Sequence, residues 1–238
     1  MSRMTTSGTV CKSFAPDEAD MALINAQALE PLAAGDVYAF RVDMCDTAVD
    51  RAFEHFSDEA LGQMAKLFVG RTVIKNHDRK CDNQVARLFR CEVEDRGDRR
   101  VLVGYAYTLD NEANATFVAG LRAGIYREVS VGFACKSVTC SICGTNNVER
   151  YCKHWPGKDY DGKTSTFELS DVCDAYELSF VAVPCQPRAG TVKSYGDEPW
   201  VPGEEEQAPR ADGARELSLR ARLTGAWAAG EAAGYEGE

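Results

Sequence analysis

The sequence predicts an α+β domain with a mainly antiparallel, barrel-like β core, flanking helices, a small cysteine-rich insertion and a disordered C-terminal tail. Three observations support this prediction. Segments with strand alternation outnumber helical patterns, most are joined by short turns, and the regular pattern fades after Val192. We therefore divide the chain into an N-terminal arm at 1–35, a folded domain at 36–195 with the insertion at 135–163, and an acidic disordered tail at 196–238.

The first half of the folded domain combines strands with one strongly marked helix. Ser57 can accept hydrogen bonds from the first free amides of this helix, and Gly70 is the residue type that commonly ends helices. Between them, apolar residues recur on one face, as expected for a helix that packs on a sheet. In chain order the sequence predicts a strand at 36–43, the helix at 57–70, a short strand at 71–78, and an antiparallel hairpin of 85–93 with 99–108.

The second half begins with a helical pattern at 111–123 that ends at a glycine. The next strand, 124–134, alternates between an apolar face and a face that carries Ser130. Two further strands are predicted at 165–169 and 176–183. Because strands dominate and short turns connect most of them, an antiparallel sheet or barrel is favoured over a parallel α/β fold.

Charge and hydropathy exclude some function classes. The chain of 238 residues carries a net charge of -10, which argues against a general nucleic-acid-binding protein. Residues 196–238 hold ten acidic and four basic residues, so -6 of this charge belongs to the tail and -4 to the rest. The longest apolar runs, such as 178–184, are too short to cross a membrane. Residues 1–10 contain no signal-peptide pattern, so we expect a reducing cytoplasm.

Three short stretches place a histidine, a serine and a carboxylate at the end of a strand or within one. His77 and Asp78 lie in a polar turn that follows a strand. Ser130 and Gly132 share the polar face of their strand, and Glu177 lies on the polar face of a later strand. Taken alone, His77 is more typical of a solvated imidazole in a surface turn. Ser130 alone is more typical of a serine without a catalytic role, and Glu177 of a carboxylate on an edge strand.

Together, the three stretches resemble the prohead (capsid maturation) proteases of tailed bacteriophages. The resemblance rests on the His77-Asp78 turn, on the serine strand Val129-Ser-Val-Gly-Phe133, and on Glu177-Leu-Ser-Phe-Val-Ala-Val-Pro184 with its proline-rich exit. It covers residues 36–193 and includes the order of the stretches and the helices that precede the first two. It implies the fold of the herpesvirus assemblins, a small barrel-like sheet surrounded by helices.

The resemblance implies a serine endopeptidase in which Ser130 is the nucleophile, His77 the general base and Glu177 the acidic third member. Such a set is chemically coherent, because a serine hydroxyl becomes nucleophilic only when a supported imidazole takes its proton. Asp174 and Glu168 remain alternatives for the acidic role. The implied substrates are phage scaffold protein, major capsid protein and the enzyme itself, cut inside the assembling prohead in the bacterial cytoplasm. We further expect a homo-oligomer whose own tail is the site of self-cleavage.

Four of the ten cysteines crowd into the insertion, close to one of only three histidines. A pair of cysteines with two residues between them, followed by a cysteine and a histidine, supplies three thiolates and one imidazole, which is the ligand set of a structural zinc site. The predicted ligands are Cys140, Cys143, Cys152 and His154. Cys135 or Cys173 could take the place of the histidine.

Two other functions remain open at the level of sequence. The first is a catalytically inactive, zinc-stabilised structural or scaffold-associated phage module. The second is a hydrolase in which the zinc is catalytic. The second is disfavoured because the chain has no H-E-x-x-H motif and because three thiolates would weaken the ion as a Lewis acid.

Overall fold

The computed structural model describes residues 13–186 and 190–191. The predicted tail at 196–238 and its expected self-cleavage lie outside this part of the chain, as do the first residues of the N-terminal arm. The described α-helices are α1 (Glu18–Asn25), α2 (Asp58–Leu67) and α3 (Ala115–Arg122). The described strands are β1 (Val37–Asp46), β2 (Glu54–Phe56), β3 (Thr72–Lys75), β4 (Ala86–Asp95), β5 (Arg100–Leu109), β6 (Val129–Cys140), β7 (Asp159–Tyr160), β8 (Lys163–Thr164), β9 (Phe167–Phe180) and β10 (Gly190–Thr191).

Eight of these strands form one sheet, in the order β10-β1-β5-β4-β3-β9-β2, with β6 paired to the opposite edge of β9. The pairs of β9 with β2 and β3 are parallel and the other pairs are antiparallel, so the sheet is mixed. This confirms the predicted α+β class. The predicted barrel closure is not found, because no ladder among the described residues joins the two ends of the sheet.

One strand, β9, replaces the two strands predicted at 165–169 and 176–183. Two β-bulges in its ladder with β6 leave Cys173 and Tyr176 without a partner residue, and Asp171 adopts a positive φ of 52°. The extra residues change the local twist and let the strand continue where its alternation is interrupted. As a result, a single strand runs from the cysteine-rich insertion to Glu177.

The helix α2 packs its apolar face against the sheet. The Ser57 hydroxyl accepts a hydrogen bond from the Ala60 amide at 3.1 Å, which confirms the predicted N-cap. Leu61 and Met64 of this helix and Phe68 just after it are fully buried in the main core. Burial of each such side chain contributes about 2 kcal/mol to stability, so this face holds the helix on the sheet.

The helix α1 packs separately, through a smaller apolar cluster. The Asp17 carboxylate caps it by accepting from the Asp20 amide at 2.8 Å, and Ile24 is buried with Val37 and Phe89. None of the helices in the described part of the chain is both long and apolar enough to span a bilayer.

Three adjacent strands, β3, β9 and β6, share a buried face that fixes the orientation of their polar side chains. Val73, Leu178 and Val129, one from each strand, are buried in the main core. Successive side chains in a strand point to opposite faces. The residues that alternate with these three therefore point away from the core, and they include Ser130 and Glu177.

Candidate active site and candidate metal centre

The strands β3, β9 and β6 bring the predicted serine and carboxylate onto one face in two neighbouring rows. In one row Glu177 is paired with Gly132 of β6 and with Thr72 of β3. In the next row Ser179 is paired with Ser130 of β6 and with Ile74 of β3. Side chains directly opposite each other in an antiparallel pair have Cβ atoms about 5 Å apart. Ser130 and Glu177 are thus close neighbours although they lie far apart in sequence.

The turn after β3 brings His77 over these rows. Asn76 and His77 both adopt the left-handed conformation, with φ of 56° and 54°. Such a conformation costs about 1–3 kcal/mol for a non-glycine residue and persists only where the surroundings impose it. Here the Asn76 amide donates to the Phe180 carbonyl at 2.8 Å, and the His77 amide donates to the Ser179 hydroxyl at 2.8 Å. The end of β9 therefore determines the position of the histidine.

A side chain further along the loop holds this turn from the other side. The amide nitrogen of Asn83 donates to the carbonyls of Lys75 and Asp78, at 2.8 Å each. The Asp78 amide also donates to the Lys75 carbonyl at 3.1 Å. Because both ends of the turn are hydrogen-bonded, the imidazole is presented by an ordered turn even though its side chain remains 43% exposed.

His77 and Glu177 form a direct hydrogen-bonded pair. Nδ1 of the imidazole lies 2.8 Å from Oε1 of the carboxylate, which is 1% exposed. A carboxylate in this position favours the tautomer that carries the proton on Nδ1, which leaves Nε2 free to accept a proton. The pair therefore has the geometry of a base and its supporting acid.

Ser130 occupies the place next to this pair. It is half-buried, and its opposite neighbour on β9 is Ser179, whose hydroxyl accepts from the His77 amide. The predicted alternation of the strand is present, with Val129 fully buried and Phe133 packed against the main core. The serine and the carboxylate thus lie on one face of the sheet, and the histidine is hydrogen-bonded to the carboxylate.

The alternative carboxylates lie elsewhere. Asp174 pairs with Arg71 at 3.2 Å, with both side chains almost half exposed. Glu168 lies near the beginning of β9, opposite Thr139. Of the three candidates for the acidic role, Glu177 is the one in contact with the histidine.

Gly132 leaves the space that the carboxylate occupies. A Cβ built on this glycine would overlap Oε1 of Glu177 and lie 3.0 Å from its Cδ. Any side chain at this position would therefore push the carboxylate away from the histidine. Glycine is required here because the Glu177 side chain approaches the backbone closely. Backbone conformation does not require it, since the φ of Gly132 is not positive.

We expect Gly132→Ala to lower the free energy of unfolding by about 1–3 kcal/mol, because the added methyl group has no room. Gly62→Ala is the matched control, since a Cβ at this position of α2 meets nothing within 4 Å. The control is expected to raise the free energy of unfolding by up to about 1 kcal/mol, because alanine favours helices. Urea denaturation of both variants measures the difference. Equal stability of Gly132→Ala and the wild type would contradict the close contact with Glu177.

The four predicted metal ligands lie together at the other end of β6 and β9. Their ligand atoms are all within 4.8 Å of one another, and the Cys140 sulfur lies 3.7 Å from Nδ1 of His154. Tetrahedral zinc with bonds of about 2.3 Å to sulfur and 2.0 Å to nitrogen separates its ligand atoms by about 3.5–3.8 Å. Cys140, Cys143, Cys152 and His154 therefore fit a metal ion, and they could bind one.

Backbone and side-chain donors surround the sulfur atoms. The Ile142 amide donates to the Cys140 sulfur at 3.4 Å, and Gly144 makes the turn with a positive φ of 67°. Hydrogen bonds from the hydroxyl and the amide of Thr145, with a smaller one from His154, lower the pKa of Cys143 to about 6. This cysteine is therefore readily available as a thiolate, the form that binds metals.

The two alternative cysteines lie outside this cluster. Cys173 contacts the Ala134 carbonyl at 3.6 Å and is exposed. Burial raises the pKa of its neighbour Cys135 to about 11. A thiol whose pKa is raised in this way is a poor metal ligand. His154 is thus the fourth member of the group, as the sequence predicts.

The two clusters are connected by the same pair of strands but are far apart. Ser130 and Cys140 lie ten positions apart on β6, which corresponds to about 30 Å of extended strand. The opposite partner of Cys140 is Phe167, the first residue of β9. The metal cluster therefore closes the far end of the β6–β9 pair and is remote from the serine.

Sequence reasoning did not assign several residues that build the site. Ser179 could have been assigned from its alternation with Glu177 on one face, which was visible in the sequence. The left-handed turn at 76–77 had no such signal, because its contact with Ser179 joins residues about 100 positions apart. The pairing of Thr72 with Glu177 is likewise a property of the parallel register.

Comparison of the chain with models of known protein families, with curated proteins and with solved structures finds no match. The contacts within the two clusters are therefore what bears on function. One cluster has the residue types of a serine hydrolase, and the other has those of a metal site.

Proposed function

We propose that this protein is a serine endopeptidase that processes scaffold and capsid proteins, and itself, during the maturation of a bacteriophage prohead. The observation that carries the proposal is the 2.8 Å hydrogen bond between His77 Nδ1 and the buried carboxylate of Glu177, in the row next to Ser130. A histidine with a merely structural role does not need a buried carboxylate hydrogen-bonded to its ring and a serine in the neighbouring row of the sheet. This arrangement is the one that activates a serine hydroxyl.

In the proposed reaction each residue has one role. The Ser130 oxygen attacks the carbonyl carbon of the scissile peptide bond while its proton passes to Nε2 of His77. Glu177 stabilises the imidazolium that forms. The tetrahedral intermediate collapses, the imidazolium gives its proton to the leaving amine, and an acyl-enzyme remains on the serine. Water, activated by the same imidazole, then releases the acid product and restores the serine.

The proposed substrates and setting come from the sequence motifs and their order, because residue geometry alone does not select among proteins as substrates. They are the phage scaffold protein and the major capsid protein, cut inside the assembling prohead in the bacterial cytoplasm by a homo-oligomeric enzyme. The test is coexpression with the capsid genes that accompany this one. Shortened coat protein with the wild type, and full-length coat protein with Ser130→Ala, is the expected result. Full-length coat protein in both would overturn the assignment of substrates.

We further propose that the metal is zinc and that its role is structural. Three cysteines and one histidine fill all four positions of a tetrahedral ion, which leaves none for a reacting water. The surrounding polypeptide, from Thr139 to His154, is polar and rich in turns, so it offers little apolar surface for burial. A metal ion supplies the stability that such a segment lacks.

The same cluster supports a second candidate, a zinc-stabilised phage module without catalytic activity. The exposed hydrophobic side chains of Val148 and Tyr151 in this segment, and of Trp155 just after it, are the observation in its favour, since such residues are frequent in contacts between proteins. The two candidates differ in one outcome. Only the protease loses a measurable activity when Ser130 is replaced.

Glu177→Gln is expected to lower kcat/KM of the protease by about 10²-fold or more while preserving the fold. Glutamine has the same shape, but it has no charge to stabilise the imidazolium and it can hold the wrong tautomer. Asp174→Asn is the matched control and is expected to retain nearly full activity, because Asp174 contacts Arg71 rather than His77. Peptide hydrolysis measured for both variants decides the matter. If the control loses activity and Glu177→Gln does not, the acidic role belongs to Asp174.

A further inference from the structure

Two buried polar atoms without a hydrogen-bond partner lie at neighbouring positions beside the proposed active site. They are the second carboxylate oxygen of Glu177, Oε2, and the hydroxyl of Thr72. Within the described residues neither atom has a partner, although each is shielded from solvent. A buried polar atom left unpaired is destabilising, so most such atoms in folded proteins are satisfied. Two such atoms at paired positions point to a partner that the two groups share.

The parallel register puts the two residues side by side. Thr72 of β3 is the direct partner of Glu177 of β9, and the next pair along, Val73 with Leu178, is buried in the main core. Because side chains alternate, Thr72 and Glu177 both point to the opposite face, where His77 lies. Neighbouring strands are about 4.8 Å apart, a separation that one bridging water can span.

The two groups are also chemically complementary. A threonine hydroxyl has one proton to donate, and an ionised carboxylate only accepts. Oε1 of Glu177 already bonds to His77 and lies over Gly132, so Oε2 is the oxygen that remains for another donor. Thr72 itself is fixed from both sides, because it is paired with Arg87 of β4 as well as with Glu177.

We propose that Thr72 is a positioning residue for the active site, whose hydroxyl donates to one bridging water that in turn donates to Oε2 of Glu177. This second contact prevents the carboxylate from rotating away from the histidine. Oε1 then remains on Nδ1, and the imidazole keeps the orientation that the proposed mechanism requires. The expected effect on catalysis rests on the proposed protease function. The placement of Thr72 beside Glu177 rests on the sheet register and does not depend on that function.

The experiment compares three variants. Thr72→Val has nearly the same shape as threonine and lacks the hydroxyl, while Thr72→Ser keeps the hydroxyl. Thr108→Val is the matched control, because Thr108 is a buried threonine on another strand, β5. The first readout is peptide hydrolysis. We expect kcat of Thr72→Val to fall about tenfold with KM unchanged, because one hydrogen bond to a charged group affects only the support of the imidazole. We expect Thr72→Ser and the control to stay close to the wild type.

The second readout does not require protease activity. It is the exchange of the His77 Nδ1 proton with water, measured by NMR in proteins that also carry Ser130→Ala. Because the chain has only three histidines, this signal can be assigned. We expect the exchange to be about tenfold faster with Thr72→Val and unchanged with Thr72→Ser, because a carboxylate free to rotate protects the proton less.

The outcomes separate this inference from the proposed function. If the wild type hydrolyses no peptide but Thr72→Val accelerates exchange, the protease proposal fails and the positioning role stands. If hydrolysis is present and Thr72→Val changes neither readout, the positioning role is wrong and the protease proposal stands. If Thr72→Ser is as impaired as Thr72→Val, the hydroxyl is not what matters and the positioning role is again wrong.

Discussion

Replacement of Ser130 by alanine is expected to lower the rate of peptide hydrolysis by about 10⁴-fold or more while leaving the fold intact. The hydroxyl is the atom proposed to form the acyl-enzyme, and alanine offers no substitute. The residue is half-buried on a strand whose opposite face carries Val129 in the core, so removal of one oxygen disturbs little packing. Activity should therefore be lost without loss of thermal stability.

The control for this prediction is another serine on the same strand. Ser137 of β6 is half-buried, and its hydroxyl lies 3.0 Å from that of Thr139, away from His77. Ser137→Ala is expected to retain full activity. His77→Ala should match Ser130→Ala, and the double variant should be hardly worse than either, because the two residues act as a unit. A Ser130→Ala protein that hydrolyses peptides at the wild-type rate would remove the basis of the proposed mechanism.

Local patterns in the sequence predicted the elements that local physics determines. The cap at Ser57 and the apolar face of α2 require only residues within one helix. The hairpin of β4 and β5 follows from two alternating segments joined by a short turn. The metal cluster follows from spacing, because Cys140 and Cys143 must wrap around one point. In each case the relevant partners lie close together in the chain.

Features that depend on distant pairing were predicted less well. The parallel pairs of β9 with β2 and β3, and the bulges that make β9 continuous, are set by residues that no local pattern connects. The barrel closure was expected from the number of strands and from the resemblance, whereas the ladder stays open among the described residues. Likewise, a positive φ at His77 is unfavourable locally and is imposed by Ser179 and Phe180.

The residues of the candidate active site were partly predictable from local patterns. Alternation correctly separated the polar face with Ser130 and Glu177 from the apolar face with Leu178. It could not show that His77 would bond to Glu177 rather than to Asp174, because all the carboxylates of β9 look alike in sequence. The choice is made by the register of β3 with β9, which aligns Lys75 with Phe180 and brings the turn to the end of the strand.

Removal of the metal is expected to unfold the cysteine-rich segment while the main core persists. Structural zinc contributes on the order of 10 kcal/mol to the folding of small zinc domains, far more than the apolar contacts of a short polar segment. The core around α2 and the strands does not depend on it, because Leu61, Met64 and Phe68 belong to the main core, which contains none of the four ligands. A chelator should therefore speed amide exchange at residues 140–154 and leave exchange in α2 unchanged.

Metal content gives the matching test. We expect about one zinc ion per chain in the wild type, and its loss on replacement of Cys140, Cys143 or Cys152 by serine. Cys173→Ser is the control and should keep the ion, because this cysteine lies outside the cluster. Well under half an ion per chain in protein purified without chelator would contradict the site.

The same chelation separates a structural ion from a catalytic one. Because about 30 Å of strand lies between Cys140 and Ser130, loss of a structural ion should reach the serine only by loosening the β6–β9 pair from its far end. Peptide hydrolysis should then slow down to the same extent as amide exchange in β6 becomes faster. If hydrolysis stops at once while exchange in β6 remains slow, and returns on addition of zinc, the ion takes part in the chemistry. In that case Ser130→Ala in the metal-loaded protein would retain activity, and both the triad and the structural role of the metal would be wrong.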